Sequence, residues 1–388
     1  MVMEDVPETF TSHPHSSSNA VHTLFAVASE LGNEPYYALW ATSTAILLDA
    51  RVSLPLLLLW ALGMYIGQFL KDNLRLPRPG LFPETIDTTQ DKQKQPIKPS
   101  ASPSDVDVPV IRLETKYAAE FGFPSTHALG AFSLPMLTLL FMLFRYEVQS
   151  PIACGLWAAL QLFWMFVTPV SRLYRGVHSI LDIVGGSLIG FVLAIVTYAC
   201  TDFIYETLST VFGVVAYTCL SIALLVIYPR TSRWSNSLGD TALIMGTACG
   251  AVWGICLAQL LAPTQPYLQI AFPTTIVGGI ISVLRLILTV VIIYVIRLIN
   301  RPNVYKLTRQ ILHRAAKPPK MSEETSVAVS HMGSVGKWVH DLPVSEMYIV
   351  ESVERFIGFF GMGFLATLCL PPLFDFVGLV YEMPVGLQ

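Results

Sequence analysis

Apolar runs long enough to cross a hydrocarbon core of about 30 Å recur along the chain at 53–70, 127–144, 152–170, 180–199, 208–228, 241–261, 272–298 and 354–374, with a shorter candidate at 36–48. Most ionisable residues fall between these runs rather than inside them. The pattern predicts an all-α fold, a polytopic membrane helical bundle of eight or nine transmembrane helices. The stretch 20–31 is apolar but short, and is expected to lie at the membrane interface. Residues 1–19, rich in Ser, Thr, Pro and His, are expected to be disordered. They carry no basic segment followed by an apolar core, so no cleavable signal peptide is expected.

Two hydrophilic segments interrupt the helices. Residues 83–108 mix Asp, Lys, Gln, Ser and Pro with too few apolar residues to fold alone, and read as a disordered insertion. Residues 301–345 begin with Val304, Leu307, Ile311 and Leu312 interleaved with Lys306, Arg309 and Arg314, a pattern that suits either a short amphipathic helix on lipid or a solvated linker.

Composition agrees with the pattern. Of 388 residues 53% are hydrophobic and only 13% charged, with a mean hydropathy of +0.57, too apolar for an ordinary soluble domain. The net charge of −3, its signs interspersed, argues against a nucleic-acid partner. Cys154, Cys200, Cys219, Cys249, Cys256 and Cys369 lie in or beside apolar runs without a CxxC pair, and are predicted to be buried small hydrophobes rather than disulfides or metal ligands.

Against this background three clusters stand out at the ends of runs: Lys71 with Arg78-Pro79; Pro124-Ser125-Thr126-His127; and Ser171-Arg172 with His178 and Asp182. Alternating helices bring all three to one membrane face, which lets distant positions build one site. Several cations at one face suggest a bound anionic phosphate. Lys71, Arg75 and Arg78, at i, i+4 and i+7, are expected on one face of a helix ended by Pro79. Taken alone, such cations also suit snorkelling to headgroups. His178 and Asp182, at i and i+4, are expected as helical neighbours. The carboxylate then fixes the imidazole tautomer and leaves the other nitrogen free as a nucleophile. The Ser125–His127 turn leads into a helix N-terminus that suits an anion, although Ser125 equally suits an N-cap. His127 is placed to protonate a leaving oxygen.

In order and spacing these residues resemble the three-part signature of the type 2 phosphatidic acid phosphatase (PAP2) superfamily, whose second motif is usually Pro-Ser-Gly-His. Thr126 in place of Gly resembles the sphingosine-1-phosphate phosphatase branch. So do Trp60 to Asp72, Tyr174 to Asp182 and Trp234 to Ala242. The resemblance implies a phosphatase core over 20–228 and a further membrane region over 229–388. It implies that His178 forms a phosphohistidine while Asp182 holds its ring, and that His127 protonates the alkoxide and then activates water. Lys71, Arg78, Ser125, Thr126, Ser171 and Arg172 would bind the phosphate. Nothing resembles a metal site, so neither metal nor cofactor is expected.

The implied substrate is a phosphorylated sphingoid base held in membrane lipid. Its ammonium calls for an acidic partner, for which Glu120 and Asp240 are candidates. Arg285, inside an apolar run, is expected either to be functional or to form a salt bridge between helices. A phosphatase for phosphatidate or isoprenyl diphosphate would share the three clusters. A non-catalytic lipid binder or transporter would need the cations but not His127, His178 and Asp182. The resemblance implies the endoplasmic reticulum membrane with a lumenal site, whereas counting cations by face favours the cytosol. Oligomeric state is not readable.

Overall fold

The computed structural model describes residues 19–30, 32, 37, 50–79, 120–145, 151–229, 236–261, 280–281, 283–296, 298 and 344–378. Among them every regular element is a helix: α1 (Asn19–Glu30), α2 (Ala50–Leu74), α3 (Thr126–Phe144), α4 (Pro151–Tyr174), α5 (Ile180–Ala199), α6 (Thr201–Leu208), α7 (Val211–Val226) and α8 (Ser237–Leu261), then α9 (Val283–Ile296) and α10 (Val344–Phe376). Six of these are long and apolar enough to cross a membrane. The α6–α7 pair makes a seventh if it counts as one span. The hydrophilic segments 83–108 and 301–343, the first 18 residues and nearly all of 36–48 lie outside the described residues.

α2, α3 and α8 form the inner layer. Leu54, Leu57, Trp60, Leu134, Leu137, Ile244 and Val252 meet there in one buried cluster. α4, α5 and α7 turn Phe163, Phe166, Leu188, Val192, Phe212 and Leu220 outward, as lipid-facing helices do. α8 and α10 make the most extensive helix pair. Gly246, Gly250 and Gly254 line one face of α8, and a β-carbon at any of them would run into the α10 backbone at Phe356, Phe360 or Phe364. Small residues four apart let two backbones approach where lipid supplies no hydrophobic drive.

The expected span 208–228 corresponds to α7, which a 102° bend joins to the short α6 before it. The chain turns at Ser209 and Thr210, where Thr210 Oγ1 donates to the Thr207 carbonyl and accepts from Gly213 N–H, ending one helix and capping the next. Arg145 stands at this far end, its guanidinium donating to both Asp202 oxygens at 2.6 and 2.9 Å. Burial of the cysteines is borne out for Cys249 and Cys256 only. Cys154 is half-buried, and Cys200, Cys219 and Cys369 are exposed, since a thiol on an outward helix face meets lipid as readily as protein. Arg285 is buried with its guanidinium 5.6 Å from the Phe374 ring centroid on α10.

Candidate active site

The three clusters converge at one end of the bundle. α2 ends there with Lys71 and the loop to Arg78. α3 begins there, and the end of α4, the turn after it and the start of α5 bring Arg172, His178 and Asp182. Two glycine pairs make the convergence sterically possible. Gly63 and Gly67 on α2 touch Leu129 and Thr126, while Gly186 and Gly190 on α5 face the backbone of Ser125 and Leu129. α3 therefore begins wedged between two smooth helix faces. The Ser125 N–H donates to the Asp182 carbonyl at 3.0 Å, tying the second cluster to the third.

Lys71, Arg78, His127, Arg172, His178 and Asp182 are each 1–5% exposed. So many buried charges persist only with partners. Lys71 Nζ donates to Thr126 Oγ1 at 3.3 Å. Arg78 Nη1 donates to the Val177 carbonyl at 3.0 Å and points at His178 Nε2 from 3.4 Å.

His178 Nδ1 lies 3.5 Å from Asp182 Oδ2, the outer edge of a hydrogen bond, and such catalytic contacts are commonly long before substrate arrives. With Arg78 donating toward Nε2, the consistent tautomer carries its proton on Nδ1 and its lone pair on Nε2. Burial, and then the charges of Arg78, Lys71 and Arg172, hold this imidazole well below its ordinary value of 6.5. The ring is neutral at pH 7.

Several expectations change in detail. His178 is not on a helix: Ser179 is the N-cap of α5, and Asp182 completes a capping box, its Oδ2 accepting from Ser179 N–H at 2.8 Å. The pair meets because the box folds the carboxylate back toward the residue before the cap. α2 stops at Leu74, before Arg78. Arg75 takes a positive φ of 53° and donates to the Asp72 carbonyl, so its side chain lies exposed, away from the site. Ser125 is the N-cap of α3, its Oγ accepting from Ala128 N–H. Ser171 Oγ donates back to the Thr168 carbonyl at 2.6 Å. Asp240 belongs elsewhere, paired with Arg355 and Asn236.

Glu120 lies in the site itself. Its Oε2 accepts from Arg78 Nη2 at 2.9 Å and stands 3.8 Å from Lys71 Nζ, while its carbonyl accepts from Arg78 Nε. α1 adds a further wall that no motif marks. Arg172 Nη1 donates to Ser29 Oγ at 2.6 Å, Arg175 Nη1 donates to the same oxygen at 3.0 Å, and Gly32 packs against the His127 ring. Nothing in the short apolar stretch around Ser29 marks it for such contacts. Behind Lys71, Tyr228 donates to Asp72 Oδ2 at 2.8 Å, and burial followed by that carboxylate raises the phenol well above its ordinary value. Among the described residues, no group of three His, Cys, Asp or Glu is placed to hold a metal ion.

A neutral imidazole lone pair, a second buried histidine and three buried cations suit phosphoryl transfer. Residues 53–206 match the PAP2 superfamily. The chain is 29% identical over 373 residues to sphingosine-1-phosphate phosphatase 1 of Mus musculus, covering 94% of this chain and 74% of that protein. It is 26% identical over 381 residues to sphingosine-1-phosphate phosphatase 2 of Homo sapiens, covering 96% and 82%. It is 25% identical over 338 residues to a dihydrosphingosine 1-phosphate phosphatase of Schizosaccharomyces pombe, covering 81% and 74%. No solved structure matches.

Proposed function

Taking residues 53–206 as a PAP2-superfamily core, we propose that this chain is an integral-membrane phosphoric monoester hydrolase acting on sphingosine-1-phosphate and related sphingoid-base phosphates. The products are the free base and inorganic phosphate. One observation carries the reading: Arg78 touches the nitrogen of a neutral, carboxylate-backed His178, so a phosphate drawn to that guanidinium arrives against a nucleophile.

In the proposed mechanism His178 Nε2 attacks phosphorus and the ester P–O bond breaks. Asp182 stabilises the charge that develops on the ring. His127 gives its proton to the departing alkoxide. It then takes one from water as that water attacks the phosphohistidine and the P–N bond breaks. Lys71, Arg78 and Arg172 hold the non-bridging oxygens, the two guanidiniums suited to paired contacts and the ammonium to a point charge. Ser125 and Ser171 act by fixing the backbone around them, and Thr126 by holding Lys71. No step calls for a metal or cofactor.

We read residues 20–228 as the phosphatase unit and 229–388 as a further membrane region. We assign the protein to the endoplasmic reticulum with a lumenal site. The cation count that favours the cytosol includes Lys71, Arg78 and Arg172, which are buried in the site and so say little about loop charge.

The test is phosphate release by purified protein in EDTA, with sphingosine-1-phosphate and phosphatidate in matched mixed micelles. Faster release from sphingosine-1-phosphate is expected. Equal or faster release from phosphatidate would make this a general lipid phosphatase, and activity lost in EDTA but restored by added metal would overturn the mechanism.

A further inference from the structure

Glu120 is an odd residue to find beside a phosphate site. Its carboxylate takes the same donors a phosphate needs: Arg78 Nη2 at 2.9 Å, with Lys71 Nζ at 3.8 Å. The Arg78 guanidinium spans the gap between Glu120 on one side and His178 Nε2 on the other. A phosphate bound to Arg78 for attack by His178 therefore lies next to Glu120. Two like charges that close repel strongly where water is scarce.

The backbone keeps Glu120 in place regardless, because Arg78 Nε donates to its carbonyl and Gly122 N–H donates to the Leu76 carbonyl. The side chain is also the more open member of the group. It is 18% exposed, against 1% and 3% for Arg78 and Lys71. It stands where the phosphate-bearing end of a substrate continues outward.

Resting on the substrate reading above, we infer that Glu120 recognises the ammonium of the sphingoid base. As the phosphate takes Arg78 and Lys71, the carboxylate passes from those cations to the ammonium on the carbon beside the phosphorylated one. A carboxylate so placed favours aminoalkyl phosphates and opposes phosphates without an amine. Asp240, the other candidate, is held by Arg355 and Asn236 in a separate cluster.

The experiment compares sphingosine-1-phosphate with a straight-chain alkyl phosphate of equal length lacking the amine, on wild type and on Glu120→Gln, with His178→Ala as the inactive control. Wild type should favour the amine substrate by roughly 10- to 100-fold in kcat/KM, the size of one charge-assisted hydrogen bond. Glu120→Gln should lose most of that on the amine substrate and gain severalfold on the amine-free one, so that the preference collapses. Equal wild-type rates on the two substrates would overturn the inference while leaving the phosphatase reading intact, and so would a parallel fall in both with Glu120→Gln. Failure of wild type to hydrolyse either would instead defeat the phosphatase reading. The wild-type comparison stands even where the variant does not fold.

Discussion

Two clusters of buried charge occupy the same end of the bundle, and they are closed in different ways. In the α8–α10 half, Arg355 is clamped by Asp240 and Glu351 and bonded to Asn236, three groups around one guanidinium. In the α2–α5 half, Lys71 and Arg78 face Glu120, Arg172 donates to Ser29, and Asp182 is engaged by the Ser179 backbone and His178. The first cluster gathers carboxylates about one cation and joins two helices. The second brings cations beside a buried imidazole. In the proposed reading, the company the cations keep, rather than the burial of charge, separates a structural network from a phosphate site.

The contrast breaks first at His178. His178→Ala should lower phosphate release by at least about 10⁴-fold while thermal unfolding in detergent stays within a few degrees of wild type. A large loss of stability would mean that this cluster, too, is structural. Arg355→Ala should do the reverse. It removes a cation shared by Glu351 and Asp240 and should cost about 1.5–3 kcal/mol of stability, measured by unfolding, with kcat of the folded fraction within about threefold. Gly67→Ala would set a methyl 2.9 Å from Thr126 Cγ2 and push the start of α3. The expected loss of kcat, read in initial rates, is about 10- to 100-fold, as for other small displacements of reacting groups.

Smaller effects sharpen the comparison. Ser29→Ala removes the oxygen that fixes Arg172 and Arg175 and should raise KM about 3- to 10-fold, equivalent to about 1 kcal/mol. The pH profile tests the cations beside His178 directly. Cations beside His178 disfavour its protonated form, so its acid limb in kcat/KM should fall below 6.5. Arg78→Ala removes one of those charges, so the limb should move upward and activity should fade sooner on acidification. Following both enzymes on one substrate cancels the phosphate's own ionisation near pH 6.

Much of this was legible in the sequence because it is local or periodic. Apolar runs marked α2, α3, α4, α5 and α8 to within a few residues. Their alternation implied that Lys71, His127 and His178 share a face, and the contacts of Lys71 with Thr126 and of Arg78 with His178 agree. What escaped depends on local competition or on long-range contact. The capping box that moves His178 off α5, the left-handed Arg75 that ends α2, and the Ser209–Thr210 break all come from short polar side chains or single backbone turns that outbid helix periodicity. Ser29 was invisible because its partner Arg172 lies 143 residues away.

That separation has a consequence for how the enzyme is made. Synthesis proceeds from the N-terminus at about 5–20 residues per second, so α1 emerges about 7–30 s before the arginine it must cover. Until α4 arrives the contact between Ser29 and Arg172 cannot form. The cover over that arginine is therefore completed only when two segments made well apart in time meet.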